Sequence, residues 1–307
     1  MLLTVKKLTK IFFIEHGLFA EKSKRIEAIS DISFQVNEGE VFGIIGESGC
    51  GKTTLARIIG RIIAPSQGSL AYSPVIKQPS KDIQLIFQNP QEALNPKMTI
   101  GESLVEPLRC NNIKDNSEKI ISENLKILGF SDGITNRFPH QFSTGQKQKI
   151  VIARALMLKP KLLICDEPTA SLDLCMQAHI LRLLLELKKR LSLTLLFISH
   201  DLNVIKIISD RIMVMYSGII VEIGPAKMIY ENPLHPYSRL LLGHSSDLPQ
   251  DILSEDNNNP CCRFFERCPD KKQECAHRPI HLVQIHKGHW VACSKVTQRI
   301  HEESGYD

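Results

Sequence analysis

Val41-Phe42-Gly43-Ile44-Ile45 runs directly into Gly46-Glu47-Ser48-Gly49-Cys50-Gly51-Lys52-Thr53, with Thr54 following. The first five residues carry no polar side chain, the pattern of a strand buried on both faces of a parallel sheet. The next eight match the phosphate-loop pattern, and a helical pattern over residues 52–61 completes the strand–loop–helix setting that the motif requires. The chemistry follows from the residue types. Glycines let backbone N–H groups turn inward around phosphate oxygens, and the helix start adds its positive end. Lys52 reaches the β- and γ-phosphates, and Thr53 offers a hydroxyl to Mg²⁺.

Working outward, β-like runs at 2–7, 32–36, 69–72 and 83–87 give way between 91 and 142 to apolar residues at helical spacing, such as Ile120, Ile121, Leu125 and Leu128. That stretch reads as an inserted helical subdomain. Strand and helix then alternate again from 162 to 222, which predicts an α/β fold with a mostly parallel sheet and helices on both faces. The strand at 162–165 ends in Asp166-Glu167, two carboxylates at the edge where open α/β sheets bind ligands. Asp166 can hold Mg²⁺ and Glu167 can polarise an attacking water, two jobs that phosphoanhydride hydrolysis assigns to separate groups. The strand at 194–198 ends in Ser199-His200-Asp201, so His200 emerges at the same edge and can donate to a γ-phosphate. Gln88 leaves a further strand just before the insertion, where its amide can touch metal and water.

The segment Phe142-Ser143-Thr144-Gly145-Gln146-Lys147-Gln148 opens a helix with Ser143 suited as N-cap. On its own this is either a phosphate-docking helix start or an ordinary capped helix. Taken with the other segments it is more specific. GESGCGKT, the glutamine of FQNP, FSTGQKQ, LLICDEP, SLD at 171–173 and the histidine of ISHD follow one another in the order and spacing of the ATP-binding cassette (ABC) ATPase, which the chain resembles from about Leu3 to Gly243.

The resemblance implies a P-loop NTPase core with a mostly parallel sheet, an antiparallel β subdomain, the helical insertion at about 91–142 and a small Cys-rich tail. It also implies a head-to-tail pair, homo- or heterodimeric, that clamps ATP between the phosphate loop of one subunit and the signature segment of the other. Carried over, Ser143, Gly145 and Gln146 contact the partner's ATP, Asp173 communicates across the interface and Phe12 stacks on adenine. An aromatic face is a generic base platform, although Phe13 or plain core packing is the alternative for that site. Thr144 departs from the glycine usual in the family, a branched side chain placed to crowd the partner's nucleotide, but because Ser143 and Gly145 remain, function is expected to survive.

Residues 218–224 and Asn232-Pro233-Leu234-His235-Pro236-Tyr237-Ser238 resemble the C-terminal signature of the oligopeptide/dipeptide import subfamily. That resemblance implies two separate permease subunits, a substrate-binding protein acting indirectly and a peripheral position on the cytoplasmic face of the cell membrane. Nickel or antimicrobial-peptide uptake, or a soluble non-transport ABC ATPase, is the alternative. Five of the nine cysteines fall between Cys261 and Cys293. Cys262-x5-Cys268-Pro269-x5-Cys275-x17-Cys293 resembles the tail of those ATPases, some of which hold a [4Fe–4S] cluster. Four thiolates also suit zinc, with help from His277, His281, His286 or His289, or remain reduced and unliganded. Cys261 stands where relatives commonly have glycine. The chain divides at 1–243 and 244–307, with 254–260 as the linker candidate.

Composition limits the rest. With 43% hydrophobic and 23% charged residues the chain is an ordinary globular one. No apolar run approaches the roughly 18 residues of a membrane span, and no signal-peptide core follows the first lysines. A net charge of +5, evenly scattered, gives no case for nucleic acid.

Overall fold

The computed structural model describes residues 1–14, 24–113, 115–244 and 261–297; the linker candidate at 254–260 lies outside them. Eleven strands are present among the described residues: β1 (Leu3–Ile14), β2 (Lys24–Val36), β3 (Val41–Ile45), β4 (Gln67–Tyr72), β5 (Ile83–Ile86), β6 (Leu162–Asp166), β7 (Thr194–Ile198), β8 (Arg211–Tyr216), β9 (Ile219–Pro225), β10 (Val283–His286) and β11 (His289–Val291). The helices are α1 (Lys52–Ile59), α2 (Pro79–Asp82), α3 (Pro90–Ala93), α4 (Ile100–Cys110), α5 (Ser117–Ile127), α6 (Thr144–Leu156), α7 (Leu174–Leu191), α8 (Leu202–Ile208), α9 (Ala226–Glu231) and α10 (Pro236–Leu241).

The main sheet has the order β10-β11-β9-β8-β3-β7-β6-β5, and the run from β8 to β5 is parallel throughout. Its central strands are apolar without alternation because both faces are covered. In β3, Val41 and Ile45 point into one core while Phe42 and Ile44 point into the other; β6 and β7 divide in the same way. One face carries α1 and the antiparallel sheet β2-β1-β4, and the other carries α6, α7, α8 and the helical insertion. The fold class expected from sequence is therefore the one observed.

β1 and β2 are longer than the runs at 2–7 and 32–36. Their pairing shifts register between Val5 and Leu8, Leu8 and Lys10, and Lys10 and Ile11, with Lys7 and Asp31 at a φ of 47°. Each bulge resets the two-residue period that a strand is recognised by. In the insertion, α4 starts on a capping box: Glu102 N–H donates to Thr99 Oγ1, and Thr99 N–H donates to Glu102 Oε2 at 2.7 Å. Leu104, Leu108, Ile121 and Leu125 then pack it against the main core.

The tail does not stand apart. β11 pairs antiparallel with β9, Trp290 opposite Ile223 and Val291 opposite Glu222, so the β10–β11 hairpin extends the cassette's own sheet. Phe264 is 2% exposed and belongs to the main core.

Candidate functional site

Because β3, β7, β6 and β5 are consecutive and parallel, their carboxyl ends share one edge, and the residues that follow each strand meet there. After β3, the loop at 46–53 curls around Lys52, which is 6% exposed and donates from Nζ to the carbonyls of Gly46 and Glu47 at 2.7 Å each. Gly46 has a φ of 152°, and a Cβ there would sit 2.2 Å from the Met215 carbonyl oxygen, so the loop can approach β8 only as glycine. Ser48 and Gly49 are exposed at the tip and Gly51 precedes α1, with Thr53 exposed and Thr54 half-buried in its first turn. Cys50 is buried beneath, and burial raises its thiol above the ordinary value.

After β6, Asp166 is 4% exposed. Burial raises its carboxyl above the usual range, while the Thr53 hydroxyl opposes that by hydrogen bonding to it. Two of the three groups assigned to Mg²⁺, Thr53 and Asp166, therefore lie together, and an oxygen pair of this kind fits that hard cation, which would relieve the buried charge. Glu167 follows in the left-handed region at a φ of 49°, held by its N–H on the Ile198 carbonyl at 2.9 Å. Gln88 Nε2 donates to Glu167 Oε2 at 2.8 Å, and His200 Nδ1 lies 3.1 Å from the same oxygen. Three residues separated by up to 112 positions thus meet at one carboxylate oxygen.

Ser143 caps α6: its Oγ accepts from Gln146 N–H, and Gln146 Oε1 accepts from Ser143 N–H at 3.0 Å. Ser143 and Gln146 are exposed, Thr144 is half-buried and Gly145 is buried. A Cβ on Gly145 would lie 2.6 Å from Met176 Cγ, so the close approach made by this glycine is to α7 of its own chain. Asp173 caps α7 through Met176 N–H at 3.0 Å, beside Leu174, which is 82% exposed. Phe12 sits on β1 with 38% exposure and Lys10 Nζ 5.0 Å from its ring centre, so it is not core packing.

Cys262, Cys268, Cys275 and Cys293 all line one cavity of about 20 Å³, together with His235. The thiols lie within electrostatic reach of one another, and burial pushes Cys262 up to about 11, Cys268 to about 12 and Cys293 upward. Among the described residues no three His, Cys, Asp or Glu side chains are gathered around a point that one ion could occupy. His289 does not line that cavity, and its Nε2 is 2.7 Å from Glu222 Oε1.

Two features had little signal in the sequence. Tyr237, within the 232–238 segment, is fully buried, and its hydroxyl accepts from Glu47 N–H at 3.0 Å beneath the phosphate loop. Arg267, 220 positions from Glu47, grips that residue's carboxylate. No spacing rule connects either pair.

Residues 29–170 match the ABC transporter family, and residues 221–275 match the family described as the oligopeptide/dipeptide transporter C-terminal region. The chain is 39% identical to the oligopeptide transport ATP-binding protein OppF of Haemophilus influenzae, over 96% of this chain and 97% of that one. It is 38% identical to the putative oligopeptide transport ATP-binding protein YkfD of Bacillus subtilis, over 89% and 91%. Among solved structures, the ATP-binding cassette MJ0796 as a post-hydrolysis dimer bound to ADP and Pi aligns with a TM-score of 0.62 at 27% identity, covering 73% of this chain and 98% of that one. CbiO1 of Clostridium perfringens, part of the cbiONQ transporter complex, aligns equally well over 79% and 96%. No helix among the described residues is long and apolar enough to cross a membrane.

Proposed function

The chain belongs to the ATP-binding subunits of ABC transporters, in their oligopeptide/dipeptide branch, and on that premise we propose which residues turn its ATP hydrolysis into peptide import. Lys52 and the amides of residues 48–51 hold the β- and γ-phosphates. Thr53 and Asp166 hold Mg²⁺, which when bound neutralises phosphate charge. Glu167 accepts a proton from the water whose oxygen attacks the γ-phosphorus; the bond from that phosphorus to the ADP oxygen breaks, leaving ADP and phosphate. Gln88 orients the water and His200 donates to the γ-phosphate. The observation that carries this reading is the convergence of Gln88 and His200 on Glu167 Oε2. Phe12 stacks on adenine, Ser143, Gly145 and Gln146 close on the partner's ATP, and Asp173 links the two sites.

The partner is a second ATPase subunit. Two permeases hold the pair at the cytoplasmic face of the membrane, and a binding protein delivers peptide to them. A groove of about 840 Å³ between the insertion and the core, lined by Arg57, Phe87, Glu106 and Leu158, supports docking of a permease helix there; Phe87 is 41% exposed within it. In the tail, the four cavity cysteines hold a [4Fe–4S] cluster. Four cysteine thiols lining one cavity match the all-thiolate ligation that such a cluster would take.

The test is uptake of labelled peptide into vesicles carrying the permeases, this chain and its ATPase partner, with binding protein outside and ATP inside. ATP-dependent peptide accumulation that Lys52→Ala abolishes is expected. Accumulation of nickel with no peptide uptake would overturn the substrate assignment.

A further inference from the structure

The turn between Cys262 and Cys268 faces two ways. Toward the tail it supplies two of the thiols that line the cavity, and it places Phe264 against the rings of Tyr216, Tyr237 and His235, with centroids 5.2, 5.5 and 5.7 Å away. Toward the nucleotide edge it presents Arg263 and Arg267. Arg267 lays its guanidinium along the Glu47 carboxylate, Nη1 to Oε2 at 2.8 Å and Nη2 to Oε1 at 2.9 Å. Its guanidinium carbon also sits 5.7 Å from the Tyr216 ring centre. Arg263 donates to the Ser217 carbonyl and pairs with Glu27 at 3.4 Å. The next residue, Gly218, donates its N–H to the Cys50 carbonyl at 3.0 Å. Both ends of the 47–50 segment are therefore tied to one turn of the tail, at Glu47 directly and at Cys50 through Ser217-Gly218.

An arginine beside a phosphate loop either binds phosphate or holds the loop. Here both arms of the fork are engaged by Glu47, a planar two-point pairing that fixes direction as well as distance. Tyr237 fixes the amide of the same residue from below. We propose that Arg267 is a positioning residue for ATP binding: through Glu47 it holds the phosphate loop in its phosphate-ready curl, and the Cys262–Cys268 turn transmits the state of the thiol cavity to ATP affinity. The proposal rests on the phosphate-loop reading, which ATP binding by the wild-type chain and its loss in Lys52→Ala check separately.

The experiment titrates the full chain with a fluorescent ATP analogue and measures ATPase kinetics with its partner subunits. Arg267→Ala and Glu47→Gln should each raise Kd and KM for ATP roughly three- to fivefold, the scale of a partly exposed ion pair, with kcat at saturating ATP unchanged. The double variant should be no worse than either single one, and Arg267→Lys should recover part of the affinity. Cys268→Ser should raise Kd in the wild-type background and add nothing in Arg267→Ala. Wild-type Kd in Arg267→Ala, or additive losses in the double variant, overturns the positioning role. An equal Cys268→Ser effect in both backgrounds overturns the transmission. A wild-type chain that binds no ATP overturns the phosphate-loop reading itself.

Discussion

The nucleotide edge and the cysteine tail both gather reactive side chains, and they do so by opposite means. At the edge, Gln88, the Asp166–Glu167 pair and His200 come from the ends of three separate strands, and adjacency of parallel strands brings them together. In the tail, Cys262, Cys268, Cys275 and Cys293 come from one short segment whose regular structure is a turn of 3-10 helix and a two-stranded hairpin. The edge is rigid because the cassette's own six strands of the main sheet and two cores stand behind it. The tail borrows that rigidity by adding β11 to β9 and Phe264 to the core. Topology can assemble a site from distant residues without a ligand, whereas a segment with little core of its own needs a sheet to lean on, a metal, or both.

The largest expected effect separates chemistry from binding at the edge. Glu167→Gln keeps the shape of the carboxylate and its contacts with Gln88 and His200 but cannot take a proton, so steady-state ATPase should fall by about 10²- to 10⁴-fold. ATP affinity should stay near wild type, because Lys52, Thr53 and Asp166 are untouched. Phosphate release and analogue binding, measured on one preparation, check this. Wild-type turnover would show that the meeting of three residues at Glu167 Oε2 is structural only.

The edge was also the more legible region. A phosphate loop, an Asp-Glu pair and a strand-end histidine are local patterns, and an all-apolar strand such as 41–45 announces burial on both faces. The order of strands places them together without any further information. What the sequence concealed were contacts fixed only by the folded chain. β10 and β11 are too short to carry a pattern, with 4 and 3 residues, and β10 is mostly exposed. Arg267 reads as one more surface arginine until the hairpin docks and turns it toward Glu47. Glu222 and His289 lie 67 positions apart on strands whose pairing no motif records.

The next effect asks whether the tail's dependence on the cassette runs in both directions. Phe264→Ala should cost about 3 kcal/mol or more, the usual loss for a fully buried phenyl ring, because its ring packs among Tyr216 and Tyr237 of the main core. Urea unfolding should then show one transition at lower denaturant. An unchanged cassette midpoint, with a separate early transition for the tail, would break the comparison by making the tail a unit of its own.

The smallest expected effect compares two buried carboxylates, one at the nucleotide edge and one on β9, where the tail's hairpin docks. Asp166 is raised by burial, with Thr53 only partly opposing it, as suits a group waiting for a cation. Glu222, with 0% exposure, is buried more deeply. Burial would raise it too, but His289 Nε2 at 2.7 Å and the N–H groups of Leu234 and His235, each at 2.9 Å, together hold it below the ordinary carboxylate value. The sign follows by linkage. A carboxylate whose folded pKa is depressed stabilises the fold above its unfolded value, about 4.3, and that stability is lost as pH falls through the lower folded value. His235, pushed down to about 4 mainly by burial, is neutral above that pH and leaves the His289 contact as the imidazole partner of Glu222 there. Glu222→Gln should therefore lower the melting temperature at neutral pH and flatten its fall as the pH drops below about 4.3, relative to wild type. Because Glu222 ties β11, the 232–238 segment and hence Tyr237 under Glu47, the variant should also weaken ATP binding, by less than Arg267→Ala does. An acid profile as steep as wild type would mean that this carboxylate is not what locks the tail's hairpin to the sheet.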